Sequence, residues 1–127
     1  SAMRTRMSTY LSQLPAALRN VIKTVNKRTS AGNQSSSIQT TQDKLFLLSE
    51  IEIFGATTYS FAGEGTQYEY YAAGNTTIKK VNGSAYNWWE RSPNSDNTNN
   101  FCNVNNSGNA NNNNASNSNG VSFGFCV

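Results

Sequence analysis

Histidine is absent from this chain, proline and cysteine occur twice each, and only 13% of the residues are charged. Each scarcity removes a class of chemistry. Without imidazole the commonest general base and the commonest metal ligand are missing, which excludes hydrolytic triads and typical zinc sites. The acidic residues are Asp43, Glu50, Glu52, Glu64, Glu69, Glu90 and Asp96, and of these Asp96 alone falls in the Asn-rich stretch near the C-terminus. Calcium needs several converging acidic oxygens, so that stretch is a poor calcium site. Gly63-Glu64-Gly65 lacks the Lys and the apolar helix start of a phosphate-binding loop. No catalytic residue, metal ligand or cofactor is therefore expected. No run approaches the roughly 20 apolar residues that span a bilayer. No segment has the basic start, apolar middle and small-residue end of a signal peptide, so membrane insertion is not expected.

What is abundant is asparagine. From Asn94 to Asn119 there are 14 in 26 positions, with Phe101, Val104 and Gly108 among them. The tract lies between two apolar strand candidates, Trp88-Trp89 and the run Val121 to Val127. Low-complexity polar tails run out into solvent, whereas this segment is pinned at both ends and reads as a displayed surface. Asn suits that role, because its short side chain carries donors and an acceptor and it tolerates left-handed turns.

The chain has 127 residues, of which 36% are apolar, enough for the core of a single domain spanning residues 4–127. Ser1-Ala2-Met3 has the look of a tag remnant. The net charge of +3 comes mainly from Arg4, Arg6, Arg19, Lys23, Lys27 and Arg28. No basic and aromatic interleaving or reading motif accompanies them, so nucleic acid is not expected as a partner. Cys102 and Cys126 can form one bridge or stand as two buried thiols, and the missing export signal favours thiols.

Leu11, Leu14, Leu18, Ile22 and Val25 recur at three- and four-residue steps, which predicts one long helix reaching about Lys27, with Pro15 in its first turn. Thr29 to Thr41 is polar with a single aliphatic, Ile38, and reads as a loop or an irregular extended stretch. Leu45 to Leu48 fits a strand buried on both faces. Ser49 with Glu52 has the spacing of a capping box, starting a short helix that Gly55 ends, and Thr66 with Glu69 repeats it ahead of Tyr70, Tyr71 and Gly74. Tyr68, Tyr70 and Tyr71 are expected to pack rather than to bind. Phe101 to Val104 is a strand candidate. Val121, Phe123, Phe125 and Val127 alternate with Ser122, Gly124 and Cys126, predicting a strand with one buried apolar face and with Gly124 on the other face, where it admits a close neighbour. Early helices followed by short strands make an α+β domain.

Three passages together resemble one family. They are Leu14-Pro15-Ala16-Ala17-Leu18 through Val25-Asn26-Lys27, then Asp43 to Glu50, then Trp88-Trp89-Glu90-Arg91-Ser92-Pro93 followed by Gly120 to Phe125. The chain resembles the C-type-lectin-fold variable proteins of diversity-generating retroelements, of the type carried by phages, prophages and archaeal viruses. Glu90 departs from the pattern, which has an aliphatic residue there. The resemblance implies a C-type lectin-like fold of short helices packed on small antiparallel sheets with long loops. It also implies that a reverse transcriptase randomises adenines in the 3′ end of the gene, so that Asn codons mark positions free to vary within a variable region at about residues 87–127.

Carried over to this chain, the ligand-facing positions are Asn94, Asn97, Asn99, Asn100, Asn103, Asn105, Asn106, Asn109, Asn111, Asn112, Asn113, Asn114, Asn117 and Asn119. Asn87, Phe101, Val104, Gly120, Val121, Phe123 and Phe125 would be scaffold. The implied partner is a protein or other macromolecule on a host or target cell, met at a virion surface such as a tail-fibre or adhesin tip, or at a cell surface. A monomer is favoured over an oligomer. Two other readings stand beside this one: a non-diversified structural or adhesion module, and an enzyme like the formylglycine-generating sulfatase modifiers, for which Cys102 and Cys126 would be the chemistry.

Overall fold

The computed structural model describes residues 2–127, and the expectation for Ser1 lies outside them. Two short helices, α1 (Ala2–Gln13) and α2 (Ala16–Arg19), precede the hairpin of β1 (Val25–Gly32) and β2 (Ser35–Asp43). Then come β3 (Phe46–Leu47), α3 (Glu50–Phe54), α4 (Glu69–Ala72) and a small hairpin of β4 (Lys79–Val81) and β5 (Ser84–Tyr86). The chain closes with β6 (Trp88–Pro93), β7 (Asn100–Val104), β8 (Ala110–Asn114) and β9 (Phe123–Gly124). β6, β7 and β8 form a three-stranded antiparallel sheet in that order, and β9 returns to pair with β3. This is an α+β arrangement. Among the described residues no helix is long and apolar enough to cross a membrane.

The long helix expected from Leu11 to Lys27 is two helices and a strand. Residues before proline avoid the helical region, and α1 accordingly closes at Gln13, with Pro15 taking up an extended backbone (φ −54°, ψ 142°) at the start of α2. The apolar stripe is nonetheless used: Leu11, Leu14 and Leu18 pack on a cluster of Met7, Ile22, Leu45, Leu47 and Trp89, and Met3 joins them. Bending the chain at Leu14 keeps both helices on one core, while Val25, β-branched, opens β1.

Thr29 to Thr41 is likewise not a loop. It belongs to the longest strand pair, antiparallel from Val25↔Asp43 to Gly32↔Ser35 with a register shift between Ser30 and Gly32. Asn33 and Gln34 have φ of 53° and 59°, the left-handed pair that a two-residue hairpin turn requires. Polar residues on both faces hid this hairpin from an alternation test.

Ser49 and Glu52 form the expected capping box: Ser49 Oγ accepts from the Glu52 N–H, Glu52 Oε1 accepts from the Ser49 N–H, and Gly55 (φ 69°) closes α3. The second expected box does not form, because Tyr68 rather than Thr66 caps α4 and offers no side-chain bond. Gly74 is left-handed as expected (φ 86°). Tyr68 and Tyr71 pack against a second cluster of Leu48, Ile53, Trp88 and Val104, but Tyr70 is exposed. Adjacent strand residues point to opposite faces, so Trp88 and Trp89 anchor the two clusters on either side of β6.

At the C-terminus only Phe123 and Gly124 are strand, and Phe125 (39% exposed) and Val127 (67%) do not share the buried face foreseen for them. The partner strand β3 is two residues long, and beyond it, among the described residues, only a single bridge from Lys23 to Cys126 holds the end of the alternation, which leaves Phe125 and Val127 exposed. Gly124 does admit a neighbour: a Cβ there would sit 3.0 Å from the Phe46 ring.

The interior also holds charge. Arg91 donates to the carbonyls of Arg28, Leu47 and Glu64, to Thr29 Oγ1 and to the Glu52 carboxylate, whose other oxygen takes Lys27 Nζ at 2.6 Å. Burial would raise Glu52, but Arg91 and Lys27 outweigh it and hold the carboxyl below its ordinary value. Glu50 accepts from Tyr59 N, Ser60 N and Ser60 Oγ, and Glu64 from Ser30 N and Ser92 Oγ.

Glu90 is the exception, 2% exposed and with neither carboxylate oxygen hydrogen-bonded within the described residues. Burial, with Glu50 and Glu64 nearby, pushes it well above the ordinary 4.5. The folded state thus holds a proton that the unfolded chain releases, so this contribution is complete below about pH 4.5 and is lost as pH rises, by up to about 1.4 kcal/mol per unit. Glu64, also raised by burial, acts in the same direction. Urea melts between pH 5 and 8 should show stability falling for the native chain and falling less for Glu90→Gln; equal pH profiles for the two would contradict a protonated interior Glu90.

Candidate ligand-binding surface

The Asn-rich tract is folded throughout. Four of its asparagines build turns by accepting backbone N–H groups on their own side chains. Asn94 Oδ1 takes Asp96 N and Asn97 N, Asn97 Oδ1 takes Asn99 N, Asn105 Oδ1 takes Ser107 N and Asn109 N, and Asn114 Oδ1 takes Ser116 N, at 2.7–3.1 Å. These are the side-chain turns for which Asn is suited.

A second group ties β7 to β8. In the register Asn100↔Asn114 to Val104↔Ala110, diagonal neighbours share a face, and there Asn100 Nδ2 donates to Asn112 Oδ1 (2.8 Å) and Asn103 Nδ2 to Asn113 Oδ1 (2.7 Å). Asn119 Nδ2 adds a longer bond to Asn113 Oδ1 (3.3 Å). Phe101 on β7 packs into the first cluster and Val104 into the second, so the strand bearing this ladder is fixed from both sides.

Burial then sorts the fourteen expected positions. Asn94 (6% exposed) and Asn103 (0%) are buried and cannot meet a ligand in this conformation, a correction to the expectation. Asn103 sits opposite Trp89 in the sheet, which is why it is enclosed. Asn100, Asn105, Asn111, Asn112, Asn113 and Asn119 are half-buried, and Asn97, Asn99, Asn106, Asn109, Asn114 and Asn117 are exposed. Of the exposed six, Asn99, Asn106, Asn109 and Asn117 have side chains without a hydrogen bond among the described residues.

The structure brings these residues together in two patches. The β6–β7 turn, with Asn97 and Asn99, meets the segment after β8, with Asn114 and Asn117, through the Ala115 N–H to Asn99 carbonyl bond (2.9 Å). Asn106 and Asn109 lie at the other end of the sheet in the β7–β8 turn, roughly 15 Å away at the rise of a five-residue strand. Asn111 to Asn113, along the edge strand β8, bridge the two. Asn87 is scaffold, its Oδ1 accepting from Asn106 N and its carbonyl from Gly120 N.

The sequence pattern of one domain family matches residues 1–127. The chain belongs to the DUF6273 family, a domain of unknown function. No curated protein and no solved structure matches this DUF6273 chain. Within it, sequence reasoning missed that Glu50, Glu52, Glu64 and Glu90 are all buried and that Arg91 holds the Glu52 carboxylate; the signals were Ser49-Glu50 and Arg91-Ser92, polar residues adjoining apolar runs, and Glu90 where the resembled pattern has an aliphatic residue.

Both cysteines of the domain are free, Cys102 buried and Cys126 exposed. Burial, then the neighbouring Glu90, pushes the Cys102 thiol far up, away from the thiolate that reacts.

The division among asparagines has an energetic consequence. Asn103→Ala removes a buried side chain and leaves Asn113 Oδ1 with only its longer bond from Asn119, and should cost about 1–3 kcal/mol. Asn117→Ala should stay within about 0.5 kcal/mol, as for surface sites without partners. Urea denaturation of both variants checks this, and equal effects would contradict the sorting.

Proposed function

We propose that this chain is a diversified ligand-binding protein with a C-type lectin-like fold, presenting an asparagine-rich surface for recognition of a protein or other macromolecule on a host or target cell. The observation that carries the reading is the separation of roles within the tract: turns and cross-strand ladder on one hand, exposed unbonded amides at Asn99, Asn106, Asn109 and Asn117 on the other. A paratope needs adaptable hydrogen-bonding side chains on a rigid support, and that is the combination here. A surface still dominated by Asn corresponds to the undiversified state of such a repertoire. A place at a virion or cell surface belongs to the same proposal, as does the absence of catalysis, with which a buried, high-pKa Cys102 agrees.

The alternative is a non-diversified adhesion or structural module in which the amides serve only hydration. The long polar hairpin β1–β2, exposed on much of β2, favours this second reading to the extent that display is not confined to the tract.

Sequencing the native locus across and beyond the stop codon separates the two. The proposal predicts a nearby near-copy of the segment encoding Asn94 to Val127, differing only at adenines of the copy, with a reverse transcriptase gene beside it. A gene without such a repeat would overturn diversification and leave the module reading.

A further inference from the structure

Beside the asparagine surface lies a cavity of about 190 Å³ between the β4–β5 hairpin and the segment after Gly120. Its apolar floor includes Val81, Tyr86, Trp88 and Val121, and Val81 and Tyr86 remain 47% and 44% exposed. Its side chains include several hydrogen-bond donors. Lys79 and Lys80 line it, and neither forms an ion pair among the described residues. Lys79 Nζ stands 5.0 Å over the Trp88 ring, which holds the ammonium at the cavity wall rather than out in solvent. Asn87 spends its Oδ1 on Asn106 N, leaving its amide N–H groups free, and Ser122 adds a hydroxyl. No carboxylate lines the cavity.

A donor-rich lining with two cations, unopposed by acid and floored by aromatic and aliphatic surface, is complementary to an anionic group joined to an apolar one. The volume sets the size of the occupant: small-molecule sites run from about 300 Å³ upward, and this cavity holds one or two side chains. We infer that the cavity is a docking site for an acidic peptide segment, one carboxylate on Lys79, which shares its strand face with Tyr86, a neighbouring apolar side chain on Tyr86 and Val121, and Lys80 adding positive charge from the opposite face of β4. The inference rests on the cavity lining and goes beyond the asparagine surface, which it adjoins through Asn87 and Gly120.

Amide NMR titration of the full chain with a capped Glu-Phe-Glu peptide and its Gln-Phe-Gln counterpart tests it. The expected result is saturable shifts at Val121, Ser122 and the β4–β5 strands, at least tenfold weaker binding of the Gln peptide, and at least tenfold weaker binding of the acidic peptide by K79Q/K80Q. K80Q alone, at an exposed position, should weaken binding about threefold, and it keeps the test open if the double variant fails to fold. Equal binding of the two peptides, shifts centred elsewhere, undiminished binding by either variant, or an oligonucleotide or anionic vesicle moving these amides where the peptide does not, would each overturn the inference. None of these outcomes bears on the asparagine surface.

Discussion

One guanidinium holds this fold in register. Arg91, in the bulged stretch of β6, donates at once to β1, to β3, to the Glu52 carboxylate of α3 and to the Glu64 carbonyl, while its own N–H pairs with Leu48. Arginine's fixed fork of donors can meet several carbonyls in defined directions, which lysine cannot. Because Lys27 shares the Glu52 carboxylate, the hairpin β1–β2 is tied into the same network, and the small sheets are joined by charge where apolar area is modest. An ion pair this enclosed costs desolvation, so its contribution lies as much in selecting one arrangement as in net stability. The neighbouring Glu90 shows the other side of that balance: a buried carboxyl that no cation among the described residues hydrogen-bonds, pushed toward its neutral form because burial and the nearby Glu50 and Glu64 outweigh Arg91.

The asparagines depend on that frame. A tract of this composition has too little apolar area to order itself, and here it is ordered because Phe101 and Val104 are gripped by two separate clusters. Once the strand is fixed, Asn side chains supply the turns and the cross-strand bonds, and those that remain project without partners. The same residue type thus serves as structure at Asn94, Asn103 and Asn105 and as open surface at Asn99, Asn106, Asn109 and Asn117. Two patches and a connecting edge strand make an extended strip, the form on which the proposed macromolecular partner would be met.

Legibility in the sequence followed how local the physics is. The Ser49–Glu52 capping box and the Gly55 and Gly74 left-handed residues rest on neighbours in the chain and were readable, and residue type alone carried the buried Leu45 to Leu48 run and the close approach at Gly124. The helix through Leu11 to Lys27 was misread because a three- and four-residue apolar step survives a bend when both halves face one core. The β1–β2 hairpin was missed because its strands are polar on both faces, though Gly32-Asn33 marks its turn. Phe125 alternates correctly and is still exposed, since burial depends on the length of a distant partner strand. The sequence sets Asn103 inside the Phe101 to Val104 strand candidate and Asn117 outside it, but only the placement of Trp89 opposite Asn103 shows that Asn103 is enclosed. The glutamate interior was hard to see for the same reason, since it assembles from α3, Glu64 and Glu90, and only Glu52 among them gives its carboxylate to Arg91.

The central claim is that a rigid, charge-tied frame carries a surface free to change. Saturation mutagenesis of residues 87–127, scored by display of folded protein on yeast, measures it at every position together. The account expects Asn99, Asn106, Asn109 and Asn117 to accept nearly all substitutions, and Arg91, Asn103 and Val104 to accept few, with Arg91→Lys among the failures. Even tolerance across the segment, or intolerance concentrated at the four exposed asparagines, would contradict it.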